Sequence, residues 1–385
     1  MRDVDCVGAL IRDGRGRVYV HRRTAERRLL PGIWDVVGGH VEDGETPEEA
    51  LAREVEEETG WRVREVVAAV TDWEWEYEGR VRREIDYLVE VDGDLARPRL
   101  EEGKHDAGAW VGPEELELLM VNRTDGDRRL RDIVAYAVRT VLTERLMLVP
   151  ITGPGEVLPG HAADLERLHA DSWVAEWYDE TWSAEESVRR AAGFQSRWET
   201  NGVSKWMAYD RSTGTLVGRG GMERMDPDAE VTTKIATLLD EGPLRGQLAE
   251  GGLDGGGLGG GGLGGGGLGG GGLGGGGLGG GGLGGGGLGG AWAADRLELG
   301  WALVGSARGQ GFATELGRAG LDYAFGVLGA RAVVAFTERI NSASRAVMER
   351  LGMTYAGEIR TDGLVEGREG VHPDAPFAVY VATTG

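Results

Sequence analysis

Apolar and polar positions change period repeatedly along the chain. Short apolar or alternating stretches at Val4–Ile11, Val18–His21, Val66–Thr71 and Arg83–Val91 predict strands in the first third. One segment there has a helical period instead, running from Pro47 to Gly60 with Leu51 and Val55 four apart on an apolar face. Its start is well marked. Thr46 can cap, Pro47 suits the first helical position, and Glu49 can close a capping box.

A new unit begins after Arg145. A strand at Leu146–Pro150 leads to helices around Ala162–Ala170 and Ala184–Glu199, then to a hairpin-like pair at Ser204–Asp210 and Thr215–Met222. Further on come strand Leu297–Val304, helix Phe312–Phe325, strand Ala332–Phe336 and helix Ser342–Leu351. Two α/β domains are therefore expected, at residues 1–140 and 141–385. From Gly251 to Gly290 the pattern collapses into glycine with a leucine every fifth residue, broken once by Asp254. That period fits neither collagen nor a heptad, and ordering so much glycine has a high entropic cost. A disordered insertion at about 226–294, inside the second domain, is expected.

Composition narrows the function classes. A chain of 385 residues can build two substantial cores, and its formal net charge of −22 excludes general nucleic-acid binding. The single cysteine, Cys6, allows neither an internal disulfide nor a cysteine-based zinc site, and its place in a strand suits a core thiol. The absence of a signal-peptide pattern and of a run of eighteen apolar residues leads to the expectation of a cytoplasmic protein without membrane spans. The pattern fixes no oligomeric state.

The predicted helix carries the first candidate chemistry. Glu54, Glu57 and Glu58 stand at i, i+3 and i+4, so their carboxylates project from one side. Standing alone, three such acids read more readily as a solvated face. Gly38-Gly39 ahead of the helix, however, permits close backbone approach, and Arg53 can orient a carboxylate or meet phosphate. Hard oxygen ligands of this kind favour magnesium or manganese.

Gly39, five residues, Glu45, seven residues, then Arg53-Glu54-Val55-Glu56-Glu57-Glu58-Thr59-Gly60-Trp61 resembles the Nudix hydrolase box at every defined position. The resemblance covers roughly residues 1–135 and implies an α/β/α sandwich with a mixed sheet. It further implies that Glu54, Glu57 and Glu58, with the Gly39 backbone, hold Mg2+ or Mn2+. Arg53 would orient and Glu45 support the loop. Glu54 is the candidate base within the box, with Glu101 and Glu102 as later ones. The expected reaction is hydrolysis of a nucleoside diphosphate linked to another group. Trp34 suits base stacking and a structural role equally, whereas Trp73, Trp75 and Tyr77 lean towards a sheet face. His21, Arg22 and Arg23 lean towards ordinary surface or hairpin roles rather than phosphate contacts, and Lys104-His105 is equally ambiguous.

In the second domain a strand runs into Gly305-Ser306-Ala307-Arg308-Gly309-Gln310-Gly311-Phe312-Ala313, glycines at the mouth of a helix where backbone N–H groups can converge on an anion. Alone, such a turn favours tight packing over phosphate binding. Arg308-x-x-Gly311-x-Ala313 is similar to the Arg/Gln-x-x-Gly-x-Gly/Ala pattern of the GNAT acyltransferases. Thr143-Glu144-Arg145-Leu146 resembles the opening, and Asn341–Met353 the final helix, of the branch that acetylates ribosomal-protein N-termini. The resemblance spans about 143–383, excluding the insertion. It implies acetyl transfer from acetyl-CoA to an amine, on a small molecule or a protein N-terminus, with Arg308, Gly309, Gln310, Gly311, Phe312 and Ala313 at the cofactor. Asn341 would hold cofactor or sheet geometry, and Glu298 would act as base unless it merely faces solvent. Tyr355 is expected in the core rather than as a proton donor. The whole predicts a bifunctional enzyme; the alternative is one active domain, the hydrolase, beside a ligand-binding or degraded partner.

Overall fold

The computed structural model describes residues 3–28, 30–77, 79–124, 127–178, 181–244 and 288–384. Contacts divide the chain into two compact units, residues 1–224 with 299–322, and residues 225–298 with 323–385.

The first unit opens with β1 (Cys6–Ile11), β2 (Val18–Arg23), β3 (Trp34–Asp35), β4 (Val37–His40), α1 (Pro47–Thr59), β5 (Arg62–Tyr77), β6 (Arg80–Asp92), β7 (His105–Val111) and α2 (Arg129–Arg139). One sheet has the order β4-β1-β6-β5, and a second, smaller one has the order β3-β2-β7. Since β1 runs parallel to β6 and antiparallel to β4, the first sheet is mixed, as expected. Strand alternation then sorts the core. Val7, Ala9 and Ile11 pack with Tyr87, Val89 and Val91 under Leu51 and Val55 of α1. Leu10 and Leu88 face the other way, into a cluster with Ile133 and Val134 of α2. The sheet therefore lies between two helices. Cys6 is buried in this core, and burial pushes its thiol up to about 12.

The same unit continues through β8 (Val141–Leu142), β9 (Leu146–Pro150), α3 (Ala162–His169), α4 (Ser172–Tyr178), α5 (Ala184–Asn201), β10 (Lys205–Asp210) and β11 (Leu216–Arg224). Strands β8, β9, β10 and β11 lie in that order, each pair among β8–β9, β9–β10 and β10–β11 antiparallel.

The second unit contains α6 (Glu230–Glu241) and α7 (Leu288–Asp295), followed by the start of β12 (Leu297–Leu303), whose remainder lies in the first unit. Helix α8 (Phe312–Gly326) likewise begins in the first unit. The second unit then gains β13 (Ala332–Glu338), α9 (Ser342–Arg350), β14 (Thr354–Gly363) and β15 (His372–Thr383). Glu298 pairs in parallel with Val334, while β15 is antiparallel to both β13 and β14. Ile235, Leu239, Trp292, Val334, Phe377 and Val379 share one core cluster.

Two differences from the sequence reading concern extent. The strands expected at Val66–Thr71 and Arg83–Val91 are parts of one ribbon of 16 and 13 residues. Within the expected insertion, α6 and α7 are helical, because Ile235, Leu239, Leu288 and Trp292 bury apolar side chains. Most of the Gly/Leu repeat itself, with its expected disorder, lies outside the described residues.

Candidate active sites

Helix α1 is built as its sequence predicts. Thr46 Oγ1 accepts from the Glu49 backbone N–H at 3.2 Å, and Glu49 Oε2 accepts from the Thr46 N–H at 2.9 Å. Gly60 closes the helix in the left-handed region, φ 74°, with its N–H donating to the Glu56 carbonyl. A rigid helix with both ends fixed presents its carboxylates to β4.

Glycine at position 39 makes that approach possible. The space a Cβ would occupy there is taken by the Glu54 carboxylate, whose Oε2 would stand 2.7 Å from it. Arg53 holds the neighbouring charges. Its Nε and Nη2 donate to the two oxygens of Glu45 at 2.9 and 3.0 Å, its Nη1 to Glu54 Oε1 at 2.8 Å, and its Nη2 also to the His40 carbonyl at 3.0 Å. Those carboxylates keep the guanidinium pKa raised, the Glu45 hydrogen bonds foremost.

The three helix acids sit in different surroundings. Glu54 and Glu58 are 8% and 5% exposed, whereas the Glu57 side chain is half exposed and 3.6 Å from Arg53 Nη1. Glu58 Oε2 accepts from the Gly38 N–H at 3.1 Å, yet burial, aided by nearby Glu54, pushes its carboxyl up to about 8. The nearby cations Lys104 and Arg23 do not offset that burial. Hard oxygen donors beside it make a divalent cation a fitting partner for the group.

His21 and His105 depart from their expected surface or hairpin roles. Both are buried, 1% and 6% exposed, and their rings stack with centroids 3.6 Å apart. Burial lowers His21 well below the usual histidine range and takes His105 to about 4, with neighbouring cationic side chains adding to the effect. The two lie 84 positions apart in sequence, so no local pattern could pair them.

The three tryptophan candidates have structural partners. Trp34 is buried in the core, with Arg22 over its ring. Trp73 Nε1 donates to Asp86 at 3.1 Å and Trp75 Nε1 to Glu84 at 2.7 Å, both within the β5–β6 ribbon. The side chain of Tyr77 lies outside the described residues. Arg22 pairs with Asp106 at 2.7 Å and Arg23 with Asp35 at 3.8 Å. Glu101 pairs with Lys104 at 2.8 Å, while Glu102 is exposed.

In the glycine turn before α8, Gly309 and Gly311 adopt φ of 71° and 82°, values that favour glycine. Nothing stands within 4 Å of a Cβ built at Gly309, so the turn is open there. Phe312 is buried, anchoring the helix start, while Arg308 and Gln310 are exposed and Ala313 is half-buried. The first N–H groups of a helix have no intrahelical partner, which leaves this turn suited to an anionic group.

Arg145 and Glu315 pin the turn, a role the sequence reading did not assign. Arg145 Nη1 donates to the Gln310 carbonyl at 2.8 Å, its Nε to Glu315 at 2.7 Å, and its guanidinium lies over the Phe312 ring. Thr143 Oγ1 donates to the same carboxylate at 2.6 Å. The opening segment Thr143–Leu146 thus carries side chains that secure the turn. Arg308 stacks its guanidinium on Trp173, 3.3 Å from the ring centroid, and Asp171 accepts from the Gly305 N–H at 3.1 Å.

Glu298 is half-buried on β12. Asn341 is buried and caps α9, its side-chain oxygen accepting from the Ser344 N–H at 3.0 Å. Tyr355, expected in the core, is 44% exposed and packs edge-on against Tyr380. It stands on β14, whose outward positions face solvent.

Comparison with known proteins finds two family matches along the chain. Residues 3–135 match the NUDIX domain, and residues 280–354 match the acetyltransferase (GNAT) domain. Nucleoside triphosphatase NudI of Salmonella agona is 34% identical over 131 residues, 32% of this chain and 91% of that protein. An uncharacterized Nudix hydrolase of Rhodococcus erythropolis is 34% identical over 119 residues, 28% of this chain, and the chain spans 63% of that relative's length. An acetyltransferase structure from Agrobacterium tumefaciens aligns over 64% of this chain and 94% of its own, with 18% identity and a TM-score of 0.35. No helix among the described residues is long and apolar enough to cross a membrane.

Proposed function

Because the chain belongs to the Nudix family through residues 3–135 and also carries an acetyltransferase (GNAT) domain, we propose that it is a bifunctional enzyme. Its first reaction is the metal-dependent hydrolysis of a nucleoside diphosphate-linked substrate. Its second is transfer of an acetyl group from acetyl-CoA to an amine. The domains run over residues 1–140 and 141–385, and both work as soluble cytoplasmic catalysts.

The observation that carries the first activity is the seating of Glu54 against Gly39 with Arg53 bridging it to Glu45. Glu54, Glu57, Glu58 and the Gly39 backbone hold Mg2+ or Mn2+. Bound metal supplies positive charge to the diphosphate and acidifies water. Arg53 occupies Glu54 Oε1, leaving Oε2 to take the proton from the attacking water. Arg53 acts here by positioning. The NudI relative, by its name a nucleoside triphosphatase, makes nucleoside triphosphates the first substrates to try.

For the second activity, the backbone of Arg308–Ala313 binds the pyrophosphate of acetyl-CoA, with Arg145 and Glu315 holding the turn in shape. Glu298 takes a proton from the amine, directly or through water, as the amine attacks the thioester carbonyl; the C–S bond then breaks and CoA leaves as a thiolate that is protonated from solvent. Asn341 supports the sheet end by capping α9.

Purified protein with magnesium is incubated with nucleoside triphosphates, nucleotide sugars and dinucleoside polyphosphates, and products are separated by chromatography. Cleavage within a diphosphate bond, lost on Glu57→Gln/Glu58→Gln substitution, is expected. Cleavage that survives that substitution would refute the assigned site. Acetyl-CoA affinity without thiol release in the presence of any amine on a broad panel would limit the second domain to binding.

A further inference from the structure

The backbone of the glycine turn is matched to a diphosphate, which leaves the side chain of Arg308 without a task. Resting on the acetyl-CoA reading of that turn, we propose that Trp173 of α4 is a positioning residue. It holds the Arg308 guanidinium ready for a phosphate group of the acyl-CoA. Arg308 Cζ lies 3.3 Å from the centre of the Trp173 ring, against 4.5 Å for Arg145 over Phe312 on the same turn. At that distance the guanidinium lies face-on, because an edge-on approach would push its nitrogens inside van der Waals contact. Its N–H donors lie in its own plane, so the stack covers the face and leaves them available.

Trp173 is itself fixed to the turn. Asp171 Oδ1 accepts from the Trp173 N–H at 3.0 Å, and Asp171 Oδ2 accepts from the Gly305 N–H at 3.1 Å. One carboxylate therefore ties the start of α4 to the start of the turn. The two backbones are in contact there, since a Cβ at Gly305 would stand 3.6 Å from the Trp173 Cβ. Trp177 packs edge-on against the same ring, with centroids 6.1 Å apart. On the far side of Arg308, Gln310 Nε2 donates to the Ser306 carbonyl at 2.8 Å and closes the loop that carries it.

An arginine kept only for surface packing would find an acid easily in a chain of net charge −22. The Arg308 guanidinium has no hydrogen bond or ion pair among the described residues, and its residue is exposed. Stacking restricts a side chain that otherwise loses much rotamer freedom on binding, so the ordering is complete before the ligand arrives. A planar fork of donors at the edge of an anion-binding turn suits phosphate oxygens. Acetyl-CoA offers that chemistry twice, in its diphosphate and in the 3′-phosphate of its ribose.

The test is calorimetric titration of the full chain with CoA and with 3′-dephospho-CoA, each variant being checked by thermal melt. Arg308→Ala should weaken CoA binding about tenfold. Trp173→Leu, which keeps apolar bulk but not the aromatic face, should weaken it about fivefold, and Trp173→Tyr should restore it to within about twofold. In an Arg308→Ala background, Trp173→Leu should add no further loss. Losses seen with CoA alone place the guanidinium at the 3′-phosphate, and losses with both ligands place it at the diphosphate; either supports the assignment. Parent affinity in folded Trp173→Leu overturns it. So does a fivefold loss that persists without Arg308, because Trp173 would then only shape the turn. Should Trp173→Leu unfold, Arg308→Lys keeps the charge without the flat face or the fork. A loss of about tenfold there supports the assignment, and parent affinity overturns it. A parent protein that binds neither ligand overturns the acetyl-CoA reading and this inference with it, whereas binding indifferent to Trp173 overturns the inference alone.

Discussion

Gly38 and Gly39 are neighbours, yet alanine at each should fail in a different way. At Gly39 a Cβ would stand 2.7 Å from Glu54 Oε2 and closer still to Oε1, so the carboxylate has to retreat. The movement needed to restore van der Waals separation is roughly 1 Å. A misplacement of that size at a reacting group lowers kcat/KM about 100-fold, or about 2.7 kcal/mol in the barrier. The obstacle is the end of a flexible side chain, so stability should change by less than about 1 kcal/mol. At Gly38 the Cβ would instead stand 3.0 Å from the Gly8 Cα and closer to the Val7 carbonyl, backbone atoms that cannot swing away. Gly38→Ala should therefore unfold the first domain. The assay is magnesium-dependent hydrolysis of whichever diphosphate the protein accepts, with a thermal melt of each variant. In the double variant Gly39→Ala/Glu54→Asp, the shorter acid vacates the contested space, so its loss should fall short of the sum of the single losses. Normal kcat/KM in Gly39→Ala, or strict additivity in the double variant, would refute the claim that Glu54 acts from its seat against Gly39.

Arg53→Lys cannot keep both Glu45 oxygens and Glu54, so kcat should drop by about tenfold or more and stability by about 1–2 kcal/mol, read from steady-state kinetics and denaturant unfolding. Loss of stability with full kcat would show that Arg53 positions nothing catalytic. His161 Nδ1 accepts from the Thr152 N–H at 3.1 Å, and burial lowers this histidine from 6.5 to about 4. The folded state therefore binds fewer protons than the unfolded one. Its stability is intact above pH 6.5 and falls as pH drops through the window to about 4, by roughly 3 kcal/mol in all. His161→Asn keeps an acceptor but cannot charge, and should flatten that part of the stability–pH curve; an unchanged slope would sink the assignment. Glu315→Gln weakens the pin on the glycine turn, and calorimetry should show acetyl-CoA binding reduced about tenfold. Unaltered affinity would mean the turn holds its shape without Arg145 and Glu315.

Helix α1 was legible because its signals are local: the Thr46 cap, Pro47, the Leu51–Val55 spacing and Gly60 all lie within one turn of where they act. Arg53 beside Glu54 was legible from their adjacency, and the Gly39 backbone near the acids only from the Nudix resemblance. Burial of His21 and His105 was not, since it depends on a register shift between β2 and β7 and on a glutamate from α1. The β5–β6 ribbon was underestimated for a related reason. Register shifts between Val63 and Glu65, Val66 and Ala68, and Ala69 and Thr71 break the strict alternation by which long strands are recognised. Arg145 was visible within a motif, but its partner Glu315 is 170 positions away. Tyr355 was misjudged because burial on β14 is decided by the strand it pairs with, not by its place after α9.

Leu244 and Leu288, the described residues on either side of the Gly/Leu stretch, are buried in the same apolar cluster. Helices α6 and α7 are also tied directly, with the Gly289 N–H donating to Asp240 at 3.0 Å. The described residues on either side of the stretch are thus held at nearly one place. A repeat anchored in this way can gain or lose whole pentads without moving either anchor.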